Sequence, residues 1–186
     1  MAIDGWGCGG KTALGEGLLD RLEPDATYLG MDEFFSTYPF PPLDPFPLQH
    51  LRWDEIRTTL EGLRGQGLAR PRPFDWSTRA IGAPTEICGP VVLVEGLFSM
   101  RPDIRALYDL RIWVQSRTET RPVRVAQRDG PDMPDFWARE WDAREAAVFA
   151  RERPWEAADI LVAGAETRVG DLARLFPRPE GGSHHR

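Results

Sequence analysis

The sequence predicts an α/β fold built on a mostly parallel sheet. Short apolar runs alternate with helical stretches along the chain, the pattern of strand–helix–strand units. The first such junction holds Gly5-Trp6-Gly7-Cys8-Gly9-Gly10-Lys11-Thr12, which satisfies G-x-x-x-x-G-K-[ST], the phosphate-binding loop. Acids stand at the carboxyl ends of two further strands, where ligands bind in such sheets. With 186 residues, the chain suits one domain, residues 1–178, followed by a polar tail at 179–186 expected to be disordered.

Met1–Ile3 form an apolar strand stub and Ala13–Leu22 a helix, the strand–loop–helix setting that the motif requires. Ala26–Gly30 is a strand leading into Met31-Asp32-Glu33-Phe34-Phe35. Ser36–His50 is too rich in proline for a helix and reads as a loop. Trp53–Leu63 is helical, with Ile56, Leu60 and Leu63 on one face, and Gly65 and Gly67 end it. Pro71–Trp76 reads as another loop. Val91–Val94 is a continuous apolar run closed by Glu95 and Gly96, the mark of a strand buried on both faces. Leu110–Val114 is the next strand, Arg117–Arg128 a helix with Pro122 in its first turn, and Asp129–Pro134 a loop of mobile composition. A long helix over Asp135–Arg151, a short strand at Ile160–Val162 and a closing helix at Val169–Phe176 complete the chain.

Composition narrows the function. The net charge of −6 argues against a general binder of nucleic acid or membrane surface, so any affinity for phosphate must be local. No apolar run approaches the roughly 18 residues of a membrane span, and no signal peptide precedes the loop. Cys8 and Cys88 make no disulfide framework and suit a reducing cytoplasm. Oligomeric state has no signature in the sequence. Lys11 is the only lysine among 23 basic residues. A chain that otherwise uses arginine keeps lysine where a compact ammonium must fit among phosphates.

The candidate nucleotide-binding surface is Gly5, Trp6, Gly7, Cys8, Gly9, Gly10, Lys11, Thr12 and Ala13. Glycines fold the backbone tightly enough for successive amides to face an anion, and the following helix adds the positive end of its dipole. Lys11 reaches the β- and γ-phosphates, and the Thr12 hydroxyl can ligate Mg²⁺. Asp32 is the candidate base for a substrate hydroxyl or a holder of Mg²⁺, with Glu33 as the alternative. Glu95 is costly to bury unpaired, so it answers either to Mg²⁺ and its water shell or to an arginine. Arg121, Arg124 and Arg128 share one helix face. A cationic row before a Gly-Pro loop suits a lid, about residues 128–136, that brings Arg124 and Arg128 over the γ-phosphate; the bland alternative is a solvated basic face. Trp6, Phe35, Phe74 and Trp76 are aromatics around the same mouth, able to stack on a planar substrate or simply to pack. Trp53, Trp137 and Trp141 have core-like helical spacing. Asp75 either bonds a substrate hydroxyl or shapes a turn, and Arg79 lies beside it.

These residues together resemble the uridine kinase / phosphoribulokinase-like family of P-loop kinases, from Ala2 to about Gly164. The likeness runs through Ile3-Asp4-Gly5 to Lys11-Thr12, Met31-Asp32-Glu33-Phe34-Phe35, Val92-Leu93-Val94-Glu95-Gly96, Tyr108–Val114, Arg128-Asp129-Gly130, Arg153-Pro154 and Ala158–Val162. It implies a three-layer α/β/α P-loop NTPase fold whose five-stranded parallel sheet has the order 2-3-1-4-5. It also implies ATP as phosphoryl donor, Mg²⁺ near Thr12, Asp32 and Glu95, Asp32 as catalytic base, a lid carrying Arg124 and Arg128, and adenine near Arg153–Val162. Phe35, Asp75, Trp76 and Arg79 would then face the acceptor. The chain departs from the family in three places. No histidine stands near Asp75–Arg79, and the sugar-binding aspartate has only Asp44 as its nearest match. Cys8 replaces a frequent glycine, where tolerance is expected. The first strand is short, so the true start lies upstream or the strand is abbreviated.

The leading expectation is a kinase acting on a hydroxyl of a small molecule, nucleosides included. A GTPase needs a second lysine for [NT]-K-x-D and has none. A nucleoside monophosphate kinase would need extra cations, which Arg57, Arg72 and Arg79 could supply. A non-catalytic nucleotide-binding module would leave Asp32 and Glu95 without a task.

Overall fold

The computed structural model describes residues 1–38 and 48–164, so Asp44, the closing helix expected at Val169–Phe176 and the tail lie outside the described residues. Strand β1 spans Ala2–Gly5 and helix α1 Lys11–Leu22. Strand β2 covers Ala26–Gly30 and runs into a 3₁₀ turn at Met31–Phe34. Helix α2 is Trp53–Gln66, followed by short strands β3 (Leu68–Ala69), β4 (Phe74–Asp75), β5 (Ala80–Ile81) and β6 (Ile87–Cys88). Strand β7 is Val91–Glu95 and β8 Arg111–Gln115. Helices α3 (Arg121–Asp129), α4 (Met133–Trp137) and α5 (Ala143–Glu152) precede β9 (Ile160–Ala163).

The main sheet has the order β2-β7-β1-β8-β9 with every pairing parallel. Renumbered for the five strands of this sheet, that is 2-3-1-4-5, the order expected of a three-layer α/β/α P-loop NTPase fold. Side chains alternate between its faces, as a pleated strand requires. Ile3, Leu93, Ile112 and Val114 face one side, where Leu14, Leu18 and Leu22 of α1 cover them. Ala2, Val94 and Trp113 face the other, packed with Phe98, Val148 and Phe149 and, further out, Ile56 and Leu60 of α2. Burial on both faces is why these strands read as unbroken apolar runs.

Five stretches differ from expectation. Helix α1 starts at Lys11, two residues before Ala13, because Gly10 caps it in the left-handed conformation (φ 98°). Helix α2 runs past Gly65 and ends at Gly67, whose φ of 69° only glycine adopts readily and whose amide bonds the Leu63 carbonyl. The helix expected over Arg117–Arg128 begins at Arg121, preceded by a 3₁₀ turn at Thr118–Thr120; Pro122 sits in its first turn, where its missing N–H costs nothing. The long helix over Asp135–Arg151 is a composite: α4 and α5 are joined by a π-helical turn at Ala138–Asp142 that swings Trp141 into the core. The stretch read as loop at Pro71–Trp76 lies in a small arm of two antiparallel ribbons, β3 with β6 and β4 with β5. Those strands of two residues are below what alternation can reveal.

One side chain ties the sheet to the loop it carries. Asp4 is fully buried, and its carboxylate accepts the amides of Gly5 (2.7 Å), Phe98 (3.1 Å) and Met100 (2.9 Å). It thereby joins the end of β1 to the turn that follows β7. Burial pushes its carboxyl up to about 7, against the downward pull of the three amides and of Lys11. Asp4→Ala leaves three buried donors without an acceptor, each worth about 1–3 kcal/mol; urea unfolding should show a loss of at least ~3 kcal/mol. The sign of the pH effect follows. The folded state holds this proton over a range where the unfolded chain has released it, so stability falls as pH rises from about 4 to about 7 and levels above. Asp32, Glu33 and Glu145, also raised by burial, act in the same direction. A melting series should decline across this window, and Asp4→Asn should flatten it; a rise across the window would contradict the assignment.

Candidate active site

The loop between β1 and α1 closes on itself through the Gly9 amide, which bonds the Trp6 carbonyl at 3.0 Å. Lys11 is buried, and its Nζ arches back to the carbonyls of Gly5 (3.1 Å) and Trp6 (3.0 Å). Thr12 and Ala13 are exposed at the start of α1, where backbone amides lack helical acceptors and the dipole is positive. Cys8 adopts φ 53°, a left-handed conformation that glycine would hold without strain, so the tolerance expected of it has a backbone cost. Gly7 is tightly enclosed: a β-carbon there would lie 2.5 Å from Glu145 Oε1 and 2.6 Å from the Trp137 ring.

The two strand-end acids meet beside this loop for a reason visible in the register. Strand β2 pairs with β7 so that Gly30 lies opposite Glu95, and Asp32 stands two residues beyond Gly30. Glu95 is nearly buried; its Oε2 accepts the Tyr28 hydroxyl at 2.6 Å and the Thr12 hydroxyl at 3.4 Å. Its partners are hydroxyls, not the arginine that the sequence left open. Asp32 is solvent-accessible yet set deep among protein mass. That environment, and next the Glu95 charge, raise its pKa, while Lys11 and Arg128 oppose the rise. Among the described residues it makes no hydrogen bond. Glu33, by contrast, spends Oε1 on the Gly30 amide at 3.0 Å. Asp32 is therefore the open carboxylate of the pair. No group of three or more His, Cys, Asp or Glu poised for a metal occurs among the described residues. The oxygen set at hand is one hydroxyl and two carboxylates, Thr12, Glu95 and Asp32. Hard oxygens in that number suit Mg²⁺, which keeps several waters and takes the rest of its shell from phosphates.

Two of the three arginines of one helix face bond the loop backbone. Arg121 is buried: its Nε donates to the Gly7 carbonyl (2.9 Å), its Nη2 to Glu145 (2.8 Å) and to Asp142, and its guanidinium lies 4.9 Å from the Trp6 ring centre. Arg124 Nη1 donates to the Cys8 carbonyl at 3.0 Å. Arg128 pairs with Asp129 through two bonds of 2.7 Å and lies over Trp137. A solvated basic face would not show the bonds of Arg121 and Arg124 to the loop backbone, whereas Arg128 stays half exposed beside it.

Aromatic rings gather beside Asp32. Phe35 is buried at the centre, with Trp76 at 5.0 Å, His50 at 5.2 Å, Trp141 at 6.1 Å and Phe74 at 6.4 Å between ring centres. Trp76 is 46% exposed at the tip of the β4–β5 ribbon and Tyr38 is 38% exposed beside it. Arg79 stacks over Tyr38 at 4.9 Å. Asp75 Oδ1 accepts the Ser77 amide (2.8 Å) and hydroxyl (2.6 Å), so it shapes the ribbon turn, and those bonds hold its carboxyl down to about 2. Trp141, in the core as expected, and Trp137, packed against it, also line this cluster. The sequence reading missed Tyr28, Tyr38 and Glu145. Of these only Glu145 left a signal: it shares an i, i+3, i+4 stripe with Val148 and Phe149, and an acid on an apolar stripe needs a partner. Trp6 packs edge-on against Phe149, with ring centres 4.9 Å apart.

No protein-family model and no curated protein matches this chain. Among solved structures it is similar to a candidate uridine kinase from Bacillus stearothermophilus, with a TM-score of 0.66 and 16% identity over 87% of this chain and 86% of that one. It is also similar to a candidate fructose transport system kinase from Silicibacter sp. TM1040, with a TM-score of 0.59 and 22% identity over 86% of this chain and 87% of that one. At these identities the likeness establishes the fold. Among the described residues no helix is long and apolar enough to cross a membrane.

Tyr28→Phe removes one of the two hydroxyls that orient Glu95. Such a loss should weaken Mg²⁺-dependent nucleotide binding by roughly tenfold, within the range seen when a supporting partner of a metal ligand is removed. Calorimetric titration with and without Mg²⁺ reads the effect, and unchanged Mg²⁺ dependence would show that Tyr28 only packs.

Proposed function

We propose that this protein is a phosphotransferase that moves the γ-phosphoryl group of ATP to a hydroxyl of a small molecule. The observation that carries the reading is the convergence of Lys11, Thr12, Glu95 and the open carboxylate of Asp32 at one end of the sheet, beneath Arg124 and Arg128. Phosphoryl transfer needs a phosphate cradle, a metal clamp, a base and cations, and little covalent chemistry from the protein. The amides of Gly10 to Ala13 and the α1 dipole receive the phosphates. Lys11 exchanges its two loop carbonyls for phosphate oxygens. Thr12 and Glu95 would hold Mg²⁺, with Asp32 beside them, and the ion would supply neutralisation of phosphate charge. Asp32 accepts the proton of the incoming hydroxyl, a task suited to an open carboxylate whose pKa its surroundings and the Glu95 charge raise. Arg124 and Arg128 shield the transferring charge as the segment near 128–136 closes. The adenine fits near Arg153–Val162, since Gly164, at the end of β9, passes close to the Gly9 carbonyl.

The acceptor is a neutral alcohol with a face for stacking, nucleosides among the candidates. Phe35, Trp76 and Arg79 border its place, and Asp75 holds the ribbon that presents Trp76. The rival reading, a nucleoside monophosphate kinase, needs spare cations. Arg57 is paired with Asp103 and Arg72 with Glu55, which leaves Arg79 alone of the three without a carboxylate partner among the described residues. That pairing favours the uncharged acceptor.

A screen of ATP consumption over nucleosides, nucleoside monophosphates, sugars, vitamins and antibiotics tests the class; turnover confined to monophosphates would support the rival. Lys11→Ala should abolish transfer. Asp32→Asn should leave ATP binding near normal and lower turnover by roughly 10²–10⁴-fold, the size of a lost general base. Normal turnover by Asp32→Asn would remove it from the role.

A further inference from the structure

Gly7 is gripped at both ends of its backbone by one ion pair. Its amide donates to Glu145 Oε2 at 2.9 Å, its carbonyl accepts Arg121 Nε at 2.9 Å, and Arg121 Nη2 closes the ring to the same Glu145 oxygen at 2.8 Å. Glu145 is fully buried on α5, Arg121 nearly so at the start of α3, and Glu145 Oε1 has no hydrogen-bond partner among the described residues. A buried pair with an unsatisfied oxygen is a poor way to gain stability, since apolar side chains of the same volume usually serve as well or better. Its value lies in geometry. The loop has few side chains with which to hold itself, yet its amides must stay aimed at an anion. The same helix α3 that Arg121 anchors carries Arg124, bonded to the Cys8 carbonyl, and Arg128.

We infer that Glu145 and Arg121 are positioning residues that latch the phosphate loop to the lid helix: the pair fixes the Gly7 peptide for nucleotide binding and sets the register of α3, and so of Arg124 and Arg128, against the loop. This rests on the function proposed above only for its kinetic consequence; the latch itself is a statement about the loop backbone. Glu145 contacts no substrate on this account and acts through Gly7 and Arg121.

Glu145→Gln is the informative variant, because the amide keeps an acceptor for Gly7 while Arg121 keeps Asp142 as its partner, so the fold should survive. Hydrogen exchange of a peptide covering residues 5–10 should quicken by about tenfold or more, while the β7 strand keeps its protection. Mg²⁺·ATP affinity should fall about tenfold. In kinetics, Arg128→Ala should cost much less in the Glu145→Gln background than in the wild type, since a displaced arginine has little left to lose. Unchanged exchange at residues 5–10, or fully additive effects of the two substitutions, would overturn the latch. Should Glu145→Gln fail to fold, Arg121→Lys gives the same readouts, because a compact ammonium lacks the planar fork that spans Gly7, Glu145 and Asp142. If the wild type binds no nucleotide, the proposed function fails on its own, and the exchange result still decides the latch.

Discussion

A phosphate-binding loop has to keep its amides pointing at an anion, so it cannot spend them on its own secondary structure. That constraint shapes much of this molecule. The loop from Gly5 to Gly10 makes one bond of its own, between Gly9 and Trp6, and is otherwise braced from outside. Asp4 holds it from beneath through the sheet, Arg121 and Glu145 hold it from the helical layer, and Lys11 spans it. Glycine is required where these braces come closest. At Gly7 any side chain would enter the space of Glu145 and Trp137.

The catalytic reading follows from the sheet more than from the loop. Parallel strands present all their carboxyl ends at one rim, and the pairing of β2 with β7 sets Gly30 beside Glu95. The 3₁₀ turn after β2 then delivers Asp32 to the mouth, while Glu33 turns back to cap the Gly30 amide. Two neighbouring acids thus take different duties because of their backbone setting. Glu95 is oriented by hydroxyls; Asp32 is left open, and the field of Glu95 favours its protonated form more than in free solution.

How much of this the sequence made legible depends on the range of the interaction. The sheet strands were readable because burial on both faces leaves continuous apolar runs, as in Val91–Val94, and the loop because its glycines and Lys11 have fixed spacing. Asp32 and Glu95 were readable as acids closing such runs. Arg121 was readable as one of a cationic row, but its burial was not: only the fold brings Gly7, Asp142 and Glu145 to it from 114, 21 and 24 residues away. The ribbon arm at 68–88 has strands too short to show alternation. Phe35, Phe74 and Trp76 were readable at the mouth, but the helical part of the aromatic cluster escaped for a related reason. Trp137 and Trp141 have the spacing of core residues, and a π-helical turn, which no propensity marks, aims Trp141 at Phe35 and His50.

Everything in the functional reading depends on one site in which the loop and the two strand-end acids act on the same triphosphate. Calorimetric titration of the wild-type protein with ATP, in Mg²⁺ and in a chelator, addresses that most directly. The account predicts binding that Mg²⁺ strengthens at least about tenfold, or roughly 1.4 kcal/mol, and that AMP does not reproduce. Equal affinity with and without Mg²⁺ would mean that Thr12, Asp32 and Glu95 do not share a metal with the bound phosphates, and the site described here would not be one site.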